Sequence, residues 1–179
     1  MQLTPTPLQD AAIIELTPQS DERGFFARSF CQREFSKWGL ESKIAQSNIS
    51  FNHERGTLRG MHFQRAPHCE AKLVRCISGS IYDVIIDLRP DSSTYQQWFA
   101  CELSSVNRQS LYIPEGFAHG FQTLQDNSEV LYQMFDFYSP HDAVGIRWND
   151  PAFEISWPLA PSCMSKNDLH YPDFNEVIL

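Results

Sequence analysis

Apolar residues in this chain fall in short runs rich in Val, Ile and Phe, broken by Pro, Gly, Asn, Asp and Ser, and a helical period is almost absent. Residues 72–77 and 80–88 carry the strongest strand pattern, and the Ser78-Gly79 step between them predicts a β-hairpin. Further strands are predicted at 98–103, 111–113, 120–124 and 130–137. One helix is expected over 31–38, where Phe35 and Trp38 lie three apart and Gly39 follows as a C-terminal cap. Short strands at regular spacing predict an all-β antiparallel sandwich or barrel. Within that class the expectation is a jelly roll, its core at about 45–140, with the segments before residue 50 and after residue 150 wrapped outside.

The 179 residues suffice for a single domain, 1–179, and no repeat or linker divides them. Lys and Arg number 14 against 22 Asp and Glu, a net charge of −8, so no nucleic acid partner is expected, although a small local basic pocket fits that balance. No apolar run approaches the roughly 20 residues that cross a bilayer. The best, 81–88, is interrupted by Asp83 and Asp87, so no membrane partner is expected either. Without the positive start and apolar middle of a signal peptide at its N-terminus, the chain is expected in the cytoplasm. Five scattered cysteines with no C-x-x-C pair read as reduced packing thiols.

Strict alternation across 58–64 puts Leu58, Gly60, His62 and Gln64 on one face and Arg59, Met61 and Phe63 on the other; Lys72, Val74 and Cys76 share a face of the next strand. If those faces line the interior, a His and a Lys sit in a largely apolar cavity, where desolvation favours the neutral imidazole that can act as a base. The competing reading is a hydrogen-bonded core histidine and a lysine that snorkels to solvent. Tyr132, mid-strand beside Met134, either fills the core or offers a proton. The run Pro114-Glu115-Gly116-Phe117-Ala118-His119 presents His119 just after a tight turn, a P-x-G-x-x-H element similar to the second motif of the cupin barrels. The H-x-H of the first cupin motif is replaced by His62-Phe63-Gln64, and His68 and Glu70 substitute poorly, so no metal is expected.

The blocks Arg23-Gly24-Phe25-Phe26, Gln46-Ser47-Asn48, Gly56 through Gln64, Lys72 through Cys76, Asp83 through Arg89, Ile113 through Phe121 and Trp148-Asn149-Asp150-Pro151 follow one another in the order and spacing of a known family. From Asp21 to Asp168 the chain resembles the dTDP-4-dehydrorhamnose 3,5-epimerases. The resemblance implies a cupin-type jelly roll with short peripheral helices and no cofactor, a homodimer exchanging N-terminal strands, and a dTDP- or CDP-type nucleotide-sugar substrate. It also implies roles: His62 as the base, Asp168 as the carboxylate on its other nitrogen, Lys72 as the cation facing the enolate, and Tyr132 as the acid on the opposite ring face. Arg59 and His119 match residues lining the sugar and pyrophosphate site, and Arg23 another phosphate contact. Phe26, Gln46 and Asn48 match the nucleotide pocket, and Tyr138 an aromatic near the nucleobase.

Three departures touch the nucleotide region. Arg28, Ala143 and Asn167 stand where the family usually has Glu, Glu and Lys. A carboxylate that accepts from a pyrimidine N–H cannot be replaced by a guanidinium without setting donor against donor. This points to the proton-transfer machinery being kept with another nucleobase, or to inversion at C3 or C5 alone. A 3,4-ketoisomerase on the same scaffold and a non-catalytic sugar-binding module are the remaining readings.

Overall fold

The computed structural model describes residues 1–177. Thirteen strands are found among them: β1 (Gln2–Pro5), β2 (Ala12–Glu15), β3 (Gln19–Asp21), β4 (Gly24–Phe26), β5 (Gln46–Asn52), β6 (Leu58–Gln64), β7 (Lys72–Ser78), β8 (Ser80–Asp87), β9 (Trp98–Ser104), β10 (Ser110–Ile113), β11 (Phe117–Thr123), β12 (Ser128–Met134) and β13 (Ala143–Gly145). Two short helices, α1 (Gln32–Lys37) and α2 (Lys166–His170), and a 3-10 turn at Phe174–Glu176 accompany them. The main strands form two antiparallel sheets, β1-β2-β10-β7-β12-β5 and β13-β6-β11-β8-β9, packed face to face as a cupin-type jelly roll. β3 and β4 pair only with each other.

Inward positions of both sheets make the central core, where Val74, Cys76 and Val130 meet Ile81, Ile85, Leu103, Phe117 and Phe121. The outer faces are covered too. Met61, Phe63, Val84 and Ile86 pack under Ile146, Phe153 and Phe174 of the C-terminal segment. On the other side, Ile14, Leu73 and Tyr112 pack under Phe35 of α1. Six residues are far too few for a helix to stand alone. What holds α1 is Phe35, fully buried, worth about 1.5–3 kcal/mol. Gly39 closes it as expected: Leu40 N–H donates to Phe35 O and Gly39 N–H to Ser36 O, with Gly39 at φ +75.

Two sequence expectations are overturned. The segment before residue 50 is not all outside, because β1, β2 and β5 are ladder strands of the six-stranded sheet. Nor do 72–77 and 80–88 form a hairpin: β7 lies between β10 and β12, and β8 between β11 and β9, so Ser78-Gly79 is a corner between sheets. Both strands are apolar on both faces, and Val74 and Cys76 meet Ile81 and Ile85 across the sandwich instead of along a shared ladder.

A β-bulge decides what the sheet shows its interior. His62 pairs with His119, but Arg59 pairs with Phe121, so three steps on β6 match two on β11. The extra residue turns Arg59 to the same side as His62, where strict alternation would have opposed them. The strands approach so closely here that a Cβ on Gly60, at φ +129, would lie 2.5 Å from Gly120 Cα. Gly60→Ala should therefore lower unfolding stability by about 2 kcal/mol, measured by chemical denaturation; a change within experimental error would refute the crowding.

Candidate active site

A cavity of about 290 Å³ opens between the sheets, lined by Arg59 and His62 of β6, Lys72 of β7, His119 and Phe121 of β11, and Tyr132 and Met134 of β12. Asn48 and Ser50 of β5 and the side chain of Glu70 complete its wall. A smaller cavity of about 230 Å³ shares His62 and Glu70 and extends to Tyr138, Ala143 and Tyr171. A larger cleft of about 820 Å³ lies by the β1–β2 turn, but its Arg89 is bound by Asp87 and Asp10, and no histidine lines it.

His62 Nε2 lies 2.6 Å from Asp168 Oδ1, a contact between residues 106 positions apart. Asp168 is 3% exposed and held on α2, whose N-cap Ser165 accepts the Asp168 backbone N–H through its hydroxyl at 3.0 Å. A carboxylate can only accept, so Nε2 carries the ring proton and Nδ1 is left free. The edge of Tyr171 packs against the imidazole, ring centroids 5.7 Å apart, a neighbour the sequence did not suggest.

Lys72 is not alone in an apolar cavity. Its Nζ donates to Glu70 Oε1 at 3.0 Å and approaches the His62 carbonyl oxygen at 3.5 Å, with both partners of the ion pair buried. His119 also has a partner the sequence missed: its Nε2 lies 2.8 Å from Asp83 Oδ1, both side chains buried. Asp83 sits between Ile81 and Ile85 on the inward face of β8. A carboxylate at an inward strand position was the available signal, since buried charges are paired or functional.

Tyr132 is opposite Asn48 in the β12–β5 ladder, with its ring 6.1 Å from that of His119. Burial pushes its phenol well above the usual tyrosine value, opposed only in part by a hydrogen bond with Ser50, so the group is a proton carrier at neutral pH. Arg59 Nε donates to Asn52 Oδ1 at 2.7 Å, which steadies the guanidinium at the cavity edge. Gln46 is placed differently: its Oε1 accepts the Tyr138 backbone N–H at 2.6 Å, anchoring the loop that carries the exposed Tyr138.

Arg23, Phe26 and Arg28 do not reach this cavity within one chain. Arg23 is bound to Asp21 across the hairpin turn, Arg28 to Glu34 at 3.0 Å, and Phe26 is 73% exposed. The cause is topological, because the β3–β4 ribbon makes no ladder with either main sheet. Of the substitute ligands, His68 is bound at the surface to Asp142 at 2.7 Å and Glu70 to Lys72. Among the described residues no three of His, Cys, Asp and Glu converge as a metal-binding set.

A jelly roll that gathers a carboxylate-bound imidazole, a buried ammonium and a protonated phenol around one sugar-sized cavity belongs with the carbohydrate isomerases built for proton transfer. The chain is a member of the dTDP-4-dehydrorhamnose 3,5-epimerase family, whose model matches residues 5–176. It is 42% identical over 177 residues to the dTDP-4-dehydrorhamnose 3,5-epimerase of Salmonella typhimurium, covering 97% of this chain and 96% of that one. The solved structure of the Bacillus anthracis enzyme of the same name, with TDP and PPi bound, superposes with a TM-score of 0.93 at 38% identity, covering 97% of this chain and 99% of that one. The Legionella pneumophila dTDP-6-deoxy-D-glucose-3,5-epimerase, in complex with dTDP-4-keto-L-rhamnose, gives a TM-score of 0.93 at 34% identity over 99% of this chain and 94% of that one.

The raised Tyr132 value has a measurable sign. Above the ordinary value near 10 the unfolded chain releases a proton that the folded chain still holds, so stability contributed by this group falls as pH rises. Unfolding free energies measured from pH 9 to pH 11 should fall less steeply in Tyr132→Phe, by up to about 1.4 kcal/mol per pH unit. Identical slopes would show that the phenol is not desolvated.

Proposed function

We propose that this protein is a cofactor-independent epimerase of a nucleotide-linked 4-keto-6-deoxy sugar. The observation that carries the reading is that His62, bound to Asp168, shares one cavity with Lys72 and the half-buried Tyr132. A hydrogen on a carbon beside a ketone is weakly acidic. His62 Nδ1 takes that proton, the C–H electron pair moves to the ketone oxygen as an enolate, and Lys72 stabilises the charge that develops there. Asp168 favours the resulting imidazolium. Tyr132 then gives its proton to the opposite face and the enolate collapses to the ketone; the site is reset when the His62 imidazolium releases its proton to solvent and the Tyr132 phenolate takes one up. Two groups are required, since a single base returns the proton to the face it came from.

The TDP and dTDP-sugar ligands of the two solved relatives support a dTDP-sugar here, with Arg59 and His119 along the sugar and pyrophosphate path. Phe25 and Phe26 stand exposed on a ribbon paired only with itself, and edge strand β5 exposes Ile49 and Phe51. We read these as the contact of a homodimer in which Arg23, Phe26 and Arg28 serve the nucleotide site of the other copy. The whole chain then acts as one domain. A soluble sugar nucleotide as substrate fits a cytoplasmic location, and no described helix is long and apolar enough to cross a membrane.

One observation favours a variant of this reading. Ala143 lines the smaller cavity beside Tyr138, presenting a methyl group where the family usually has a carboxylate. With Arg28 and Asn167 also changed, a CDP-type nucleotide, or inversion at C3 or C5 alone, fits the same proton-transfer groups.

Incubation with TDP-, CDP- and GDP-linked 4-keto-6-deoxyhexoses in D2O, read by mass spectrometry and NMR, tests both. Label should enter beside the ketone with inverted configuration, and the preferred nucleotide is the one labelled fastest; no label with any of them would leave a sugar-binding module. His62→Ala should lose wash-in about a thousandfold with TDP affinity nearly unchanged, whereas Tyr132→Phe should keep wash-in and lose inversion. Sedimentation should find a dimer that Phe51→Asp converts to monomer; a monomeric parent protein would remove the exchanged ribbon from the proposal.

A further inference from the structure

Glu70 is a buried carboxylate that the mechanism above does not use. Its side chain is 7% exposed, and it lines both cavities at the wall they share beside His62. One oxygen, Oε1, is bound to Lys72 at 3.0 Å. The other, Oε2, is shielded from solvent and has no hydrogen-bond partner. A buried ion pair is tolerated only when the remaining lone pairs are satisfied, so an unpartnered acceptor on a side chain that lines a ligand-sized cavity calls for a donor from the ligand.

The position of Glu70 says which donor. Lys72 faces the ketone oxygen in the epimerase reading, on which this inference rests, and Glu70 holds that same ammonium. A group within reach of Oε2 must therefore lie on a ring carbon next to the ketone. In a 4-keto-6-deoxyhexose only one neighbour of the ketone, C3, bears a hydroxyl, since C5 bears a methyl group and the ring oxygen. We infer that Glu70 is a specificity-determining residue that accepts a hydrogen bond from the C3 hydroxyl through Oε2 while Oε1 holds Lys72. A ring gripped at that hydroxyl is turned so that its C3 hydrogen meets His62. Exchange at C5 needs Lys72 but not this contact.

The test is the ratio of label entering at C3 and C5 in D2O, resolved by NMR, for the parent enzyme, Glu70→Ala, Glu70→Gln and Lys72→Ala acting on TDP-4-keto-6-deoxyglucose. Glu70→Ala should lower the C3-to-C5 ratio about tenfold beyond any common loss, because a site deprived of its acceptor no longer orients the hydroxyl. Lys72→Ala should slow both positions alike. Glu70→Gln retains an oxygen for Lys72 and should recover C5 exchange to within about threefold of the parent while C3 exchange stays below it. If Glu70→Ala fails to fold, as judged by thermal melting, Glu70→Gln alone carries the test. An unchanged ratio in both Glu70 variants overturns the assignment and leaves the epimerase reading intact. A parent enzyme that takes up no label at either carbon overturns both.

Discussion

The contact between His62 and Asp168 is the constraint on which the site depends. It joins the middle of a barrel strand to the five-residue helix α2, and the proposed mechanism uses the two groups as a unit. An imidazole on its own rotates and interchanges tautomers; a buried carboxylate at 2.6 Å fixes which nitrogen is free. The carboxylate is in turn held by the Ser165 cap, on the same C-terminal segment whose Phe153 and Phe174 pack over the outer face of the sheet. The proton transfer proposed for the interior thus draws on a segment seated by hydrophobic packing on the exterior.

The interior has its own logic. Three carboxylates, Glu70, Asp83 and Asp168, stand behind Lys72, His119 and His62, so these three cavity groups each have a buried acidic partner, whereas Arg59 is held by the Asn52 amide oxygen. Carboxylates placed this way are buried but not isolated, which keeps their geometry fixed at the cost of an unfavourable transfer from water. Tyr132 differs: it lies among Phe121, His119 and Met134, its phenol disfavoured as an anion by burial.

Much of this was legible in the residues. The short β-branched runs gave six of the thirteen described strands, Gly39 gave the end of α1, and the face shared by Lys72 and Val74 raised a buried cation as one of two readings, the one the structure shows. The failures have particular causes. Gly79 marked a turn, but nothing local distinguishes a hairpin from a corner between sheets; that depends on ladder partners such as β10 and β12, far away in sequence. Alternation misplaced Arg59 because one bulge at Gly60 and Met61 resets the period. Asp83 was seen only as an interruption of an apolar run, although the same alternation put it on the inward face. Arg23, Phe26 and Arg28 were recognisable as a block, but a single chain leaves their ribbon unattached.

Placing the carboxylate that the proposed mechanism relies on in the wrap outside the sandwich divides the molecule's resilience in two. The sandwich can keep its ladders while the wrap loosens, and Asp168 travels with the wrap. Heat, a protease or a crowded neighbour that peels back α2 would part His62 from Asp168 in a particle whose strands still register as intact. For this architecture, survival of the β-sheet is a poor gauge of fitness for work, and the durability of the enzyme is that of its outermost seam.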